Sequence, residues 1–379
     1  MRLRLLLVAT ALGLAAAVLV GVPAAEARTL HVGPGRALET PSAAAAVARN
    51  GDTVEIDAGT YTGDAATWTQ DDLTLVGVGG VAHLKAAGAD AQGKAIWVLA
   101  GDRTRVQNIE FSGAAVPDGN GAGIRAEGAG LTVVHCSFHD NENGILAGAN
   151  AASDIEIRRS RFAHNGAGDG FTHNLYIGAV RFLYVKGSLF AGADGGHEIK
   201  SRALRTTITA SRIIDLDSTA SYSIDLPNGG DAKITGNVVE QGPNSPNRTL
   251  VSYGAEGLTN PTTRLWVVNN TFANAQDSGT VLALAAGTTG AHLRNNLLVG
   301  RGTWVSGPTA ERRANKRTSR GFRDPAHHDY RLRQGSPAIN RGAFVPASRR
   351  PHYEYRHPQR YVDRPKRGRV DLGAFEYAG

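Results

Sequence analysis

Eight segments decide the fold: 104-TRVQNIEF-111, 132-TVVHCSF-138, 156-EIRRSRF-162, 184-YVKGSLF-190, 207-TITASRI-213, 233-KITGNVV-239, 266-WVVNNTF-272 and 292-HLRNNLL-298. Each ends on a bulky apolar anchor: Phe111, Phe138, Phe162, Phe190, Ile213, Val239, Phe272 and Leu298. Successive anchors are 27, 24, 28, 23, 26, 33 and 26 residues apart. A unit of that length cannot bury its own apolar face. Stacking neighbours buries a continuous core, and length variation is absorbed in loops. The spacing predicts an all-β, right-handed parallel β-helix, a solenoid in one long domain. Its anchors, the five phenylalanines included, are expected to stack inside.

Two positions before each anchor stand Ile109, Cys136, Ser160, Ser188, Ser211, Asn237, Asn270 and Asn296. Small polar side chains at a turn can hydrogen-bond their counterparts one coil away, because parallel strands lie about 4.8 Å apart. Cys136, the chain's single cysteine, is read as a ladder member; no intramolecular disulfide is possible.

A second set of strands runs through AIWVLAG, GAGIRAEG, NGILAG, NLYIGAV, HEIKSRAL, YSIDLPNGG and TLVSYGAEG. Alternation turns Ile124, Ile145, Leu175, Ile199, Ile224 and Val251 inward and Arg125, Leu146, Tyr176, Lys200, Asp225 and Ser252 outward. One coil per rung then aligns Tyr176, Lys200 and Asp225, with Arg202 on the same face. His173, Asn174, His197, Tyr222, Asn228 and Tyr253 lie in the surrounding turns and strands.

Residues 1–27 read as a signal peptide: Arg2 and Arg4, an apolar run from Leu5 to Val22, then Ala25-Glu26-Ala27. The expected location is extracellular, with no membrane association after cleavage. Residues 28–310 form the β-helix domain with a short capping helix expected over Ala43–Val47. Residues 311–379 form an irregular basic segment packing on or after the last coils.

The chain carries a net charge of +7. Residues 311–370 contain 17 Lys or Arg against 5 Asp or Glu, leaving 24 basic and 29 acidic residues elsewhere. The body is mildly acidic. A polyanion could be drawn to that segment by long-range attraction, but it is read as a solvated basic tail rather than as a nucleic-acid surface.

The coil repeat over residues 73–300, with the ending YRLRQGSPAINRG followed by VDLGAFEY, resembles the pectate-lyase-like superfamily of secreted bacterial β-helix proteins. The resemblance implies a fold used by lyases, hydrolases and epimerases of polysaccharides. It does not choose among them.

A uronate lyase neutralises the substrate carboxylate, removes the C5 proton and protonates the oxygen leaving C4. Lysine serves as base, arginine holds a carboxylate bidentately, and tyrosine or histidine donates to the leaving oxygen. Lys200, Arg202, His197, His173 and Tyr176 are therefore the catalytic candidates, and the placement of Lys and Arg resembles chondroitinase-B-type lyases. Asn174, Asp225, Asn228, Tyr222 and Tyr253 are the substrate-binding candidates. The expected partner is an anionic polysaccharide met by a monomer.

No cofactor is required by this set. Calcium, used by many lyases of this fold to screen the substrate carboxylate, has candidate ligands in Glu198, Asp217 and Asp225. A glycoside hydrolase would instead need a carboxylate pair from Asp169, Glu198, Asp225 and Glu256, but the Asn-Thr-Asp and Asp-Asp pairs of polygalacturonases are missing from the central coils. An epimerase shares the proton abstraction; the string from Asp324 to Asp329 superficially matches an epimerase motif but reads as a terminal turn. A non-catalytic carbohydrate-binding protein would stack sugars on Tyr176, Tyr222 and Tyr253.

Overall fold

A computed structural model describes residues 26–379; the proposed signal peptide lies almost wholly outside the described residues. Its strands form a parallel β-helix. One face is a ten-stranded parallel sheet from Ala66–Trp68 to Thr303–Ser306. The other two faces are joined into a single 21-stranded sheet because Thr53–Thr62 and Thr74–Lys85 run through the corner between them.

The anchors form an unbroken interior column. Phe111, Phe138, Phe162, Phe190, Ile213, Val239, Phe272 and Leu298 are register partners in sequence, and all are buried. Ring stacking is confined to the first four, with centroids 5.0, 4.7 and 4.7 Å apart and planes within 9°. Ile213 and Val239 separate Phe272 from that stack. Towards the N-terminus the column ends in edge contacts, Trp97 on Phe111 and Trp68 on Trp97.

The polar ladder is a continuous hydrogen-bonded file. The amides of Cys136, Ser160 and Ser188 each donate to the next hydroxyl at 3.2 Å. Ser211 donates to Asn237 Oδ1, Asn237 to Asn270, Asn270 to Asn296 and Asn296 to Asn315, at 2.9 to 3.0 Å. The residue before each rung has positive φ: Asn108, His135, Arg159, Gly187, Ala210, Gly236, Asn269, Asn295 and Ala314. A left-handed residue turns the chain sharply from one sheet into the next, and most of these are not glycine. That strain is held by the ladder bonds on the following residue. Burial pushes the Cys136 thiol up to about 12, so it is an inert rung.

The one-turn helix spans Pro41–Ala45, two residues earlier than expected. Thr40 accepts a hydrogen bond from the Ala43 amide and Pro41 begins the turn, a capping pattern that fixes the start. Pro41 and Ala44 are its buried residues.

The basic C-terminal segment is not a solvated tail. Phe322, Tyr330, Leu332, Ala338, Leu372, Ala374 and Phe375 pack on Val238, Ala273 and Leu297, the outward residues of one face. Arg364 is buried against Glu376 at 2.8 Å. Within it, Pro325–His327 forms a single 3₁₀ turn.

Candidate functional site

On the ten-stranded sheet the outward residues line up in register: Val98, Arg125, Leu146, Tyr176, Lys200, Asp225, Ser252, Ala283 and Ser306. The strands Leu175–Ile177, Ile199–Ser201 and Ile224–Leu226 are only three residues long. Each has one outward side chain.

Three residues upstream of Tyr176, Lys200 and Asp225 stand His173, His197 and Tyr222, and this constant offset builds a second column beside the first. The two imidazoles stack at 4.8 Å and 8°, with Tyr222 5.1 Å beyond His197. The His197 amide donates to His173 Nδ1 at 2.9 Å, and the Tyr222 amide donates to His197 Nδ1 at 3.1 Å. Both Nδ1 atoms are acceptors, so a neutral ring carries its proton on Nε2. Burial pulls His197 down to about 3 and holds His173 well below its usual range. Gly196 is required here: a Cβ would sit 1.7 Å from the Thr172 carbonyl oxygen.

Lys200 Nζ lies 2.8 Å from Glu256 Oε1 and 3.5 Å from Asp225 Oδ2. Arg202 donates from Nη2 to Glu256 Oε2 at 2.6 Å, from Nη1 to Asn228 Oδ1 at 2.7 Å and from Nε to the Tyr176 hydroxyl at 3.0 Å. His197 Nε2 is 3.5 Å from Asp225 Oδ2. The Asp225 carboxyl is 2% exposed and its Oδ1 has no hydrogen-bond partner; burial raises it above its usual range against the pull of Lys200. Glu256 is the reverse case. Partial burial works against its charge, but Lys200 and Arg202 hold it below the usual carboxylate range.

Lys200, Arg202, Tyr176, His173, His197, Tyr222, Asp225 and Asn228 thus come together. Other candidates do not. Asn174 is buried in an interior ladder, accepting from Asn165 at 2.6 Å and donating to Glu198 at 2.5 Å. Tyr253 is 1% exposed and donates to the Gly230 carbonyl at 2.6 Å; it shares inward parity with Val251, so it has no face for a sugar. The calcium set does not converge: Glu198 is buried with Oε1 on the Ala193 amide and Oε2 on Asn174, Asp217 is exposed, and Asp225 faces Lys200. Glu256, considered from the sequence only as a hydrolase carboxylate, is the missed partner of both cations. Its loop begins at Gly254, and the Glu256 amide donates to the Pro227 carbonyl at 3.0 Å, which carries it back over the Lys200 coil.

No family model matches the sequence, and no curated protein matches it. Among solved structures, pectate lyase Pel9A is similar with a TM-score of 0.64 at 16% identity, covering 92% of this chain and 96% of that one. The chain has the pectate-lyase-like β-helix fold. A chain described as ORF18 of Geobacillus virus E2 aligns over 70% of this chain and 52% of its own, at 12% identity and a TM-score of 0.36.

Proposed function

We propose that this chain is an extracellular polysaccharide lyase that cleaves a uronate-containing polymer by β-elimination. The observation that carries the reading is the Glu256 carboxylate gripped by both Lys200 and Arg202: two outward cations on one strand already hold a carboxylate in the position a uronate would take. The fold it shares with pectate lyase Pel9A supports a polysaccharide-active reading.

In the reaction, the uronate carboxylate replaces Glu256 on Arg202. Lys200 Nζ, relieved of Glu256 and having given its own proton to solvent, takes the C5 proton. Charge that develops on the carboxylate is stabilised by Arg202. The C4–O bond breaks, a C4=C5 double bond forms, and the leaving oxygen receives a proton from Tyr176, whose hydroxyl accepts from Arg202 and keeps its own hydrogen to donate. His197, neutral with Nε2–H, orients Asp225, and the buried His173 packs between the Tyr176 and His197 rings and holds them in place.

Incubation with a panel of uronate polymers tests the proposal. Ultraviolet absorbance from an unsaturated product supports it; new reducing ends without that absorbance point to hydrolysis, and binding without either points to a carbohydrate-binding protein. Export is supported by the leader and by Arg28, whose backbone N and Nη2 meet the buried Asp52 carboxylate at 3.0 and 2.6 Å. A new α-ammonium there would strengthen the contact. N-terminal sequencing of the exported protein should begin at Arg28.

A further inference from the structure

On the large sheet, away from the Lys200 column, His83, Glu110 and His139 form an outward cluster across three successive coils. Their inward neighbours Leu84, Phe111 and Phe138 are register partners in the core, so alternation forces the flanking residues out. Glu110 Oε1 lies 2.7 Å from His139 Nε2 and 3.7 Å from His83 Nε2. All three donor atoms fall within 4.8 Å of one another, the one such group among the described residues. The rings are 6.0 Å apart and tilted by 37°.

We propose that His83 Nε2, Glu110 Oε1 and His139 Nε2 bind a borderline divalent cation of the zinc type, tying three coils together and leaving a fourth position open to water. Tetrahedral zinc with ligands at about 2.0 to 2.1 Å needs donor separations of roughly 3.3 Å, which the present spacing brackets. Two imidazoles and one carboxylate are a donor set for zinc and its first-row neighbours rather than for calcium.

The surroundings fit the cation. His139 Nδ1 faces Asp140 Oδ2 at 2.6 Å, the carboxylate that commonly orients a metal-bound imidazole. His139 thus has a carboxylate oxygen at each ring nitrogen, Asp140 at Nδ1 and Glu110 at Nε2. Ser112 Oγ, 2.7 Å from His83 Nε2, stands where it can hydrogen-bond a metal-bound water. Lys85 is in register with Ser112. Each ligand is 23 to 30% exposed, open to ions from solvent.

The test uses the mature chain, stripped with chelator and titrated with Co²⁺ and then Zn²⁺. One equivalent of Co²⁺ should bind with the visible bands of a low-coordinate site, and Zn²⁺ should displace it while Ca²⁺ does not. His83→Gln and His139→Gln should each remove those bands and the rise in melting temperature caused by Zn²⁺, while their metal-free melting stays near that of the parent. Asp140→Asn should weaken binding by about 10 to 100-fold. A metal-free parent that binds no Co²⁺, or a His83→Gln, His139→Gln double variant that keeps the bands and the Zn²⁺ stabilisation, overturns the proposal.

Discussion

Arg202 and Glu256, 54 residues apart, are joined by a 2.6 Å contact from Nη2 to Oε2, and the same carboxylate meets Lys200 through its other oxygen. Glu256 lies on an exposed loop whose Gly254 and Gly257 have positive φ. An anionic substrate must displace this carboxylate to reach the cations.

Glu256→Gln should therefore tighten substrate. A partly exposed ion pair contributes about 1 kcal/mol at most, so KM for a uronate polymer should fall by roughly fivefold, with folding stability changed by no more than about the same 1 kcal/mol. Steady-state rates of unsaturated-product formation decide it. An unchanged or higher KM means that Glu256 does not compete with the substrate.

Lys200→Met should cost about 10² to 10⁴ in kcat, the scale of a lost general base. It should also destabilise, by about 1 to 3 kcal/mol, because buried Asp225 loses its partner. Adding Asp225→Asn to that variant should restore the melting temperature without restoring turnover. Recovery of both would make Lys200 a structural residue.

Arg202→Lys keeps the charge but loses the fork that engages Glu256, Asn228 and Tyr176 at once. KM should rise at least tenfold, consistent with loss of bidentate recognition. Equal KM values for the two proteins would move the carboxylate site elsewhere.

The coil repeat was legible because every anchor meets the same inward neighbours, so Phe111 to Leu298 carry one constraint eight times. The outward column at Tyr176, Lys200 and Asp225 followed from parity alone. Parity also shows why Tyr253 fails as a platform: counted from Val251 it points inward. Glu256 escaped because its contact with Lys200 spans two coils through a loop, and no periodicity fixes where a loop tip lands. Which residues the C-terminal segment covers was hidden for a related reason. Its apolar residues Phe322, Tyr330, Leu332 and Phe375 are scattered among arginines, and their partners Val238, Ala273 and Leu297 are outward residues whose need for cover no strand pattern announces.

The asparagine ladder can be tested at Asn270, whose Oδ1 accepts from the Asn237 backbone and side chain at 3.0 Å each and whose Nδ2 donates to the Ile234 carbonyl at 2.8 Å. Asn270→Ala leaves these buried groups unpaired, at about 1 to 3 kcal/mol for each. A loss of several kcal/mol in denaturant melts is expected, whereas a change below about 1 kcal/mol would mean that the strand bonds alone hold the coils in place.

The last prediction concerns the buried acids Glu198 and Asp215, where the interior ladder Asn141, Asn165, Asn174 ends on a carboxyl. Burial raises Glu198 to about 8, and burial together with the Glu198 charge raises Asp215 well above its usual range. Such a pair titrates as a unit. Between the unfolded value near 4.5 and the folded value near 8, the native state holds more protons than the unfolded chain, so stability falls as pH rises through that window. His173 and His197 act in the opposite sense. Their folded values are depressed, so the unfolded chain binds the extra protons and stability falls as pH drops below about 6.5 toward about 3. The two effects together place the stability maximum on the mildly acidic side of neutrality. Asp215→Asn removes the like charge while leaving Glu198 to accept from Asn174 and Ala193. Its melting temperature should fall less than the parent's between pH 5 and pH 8, with little difference at pH 5. Parallel losses in the two proteins across that range would show that the pair is not what sets the alkaline limit.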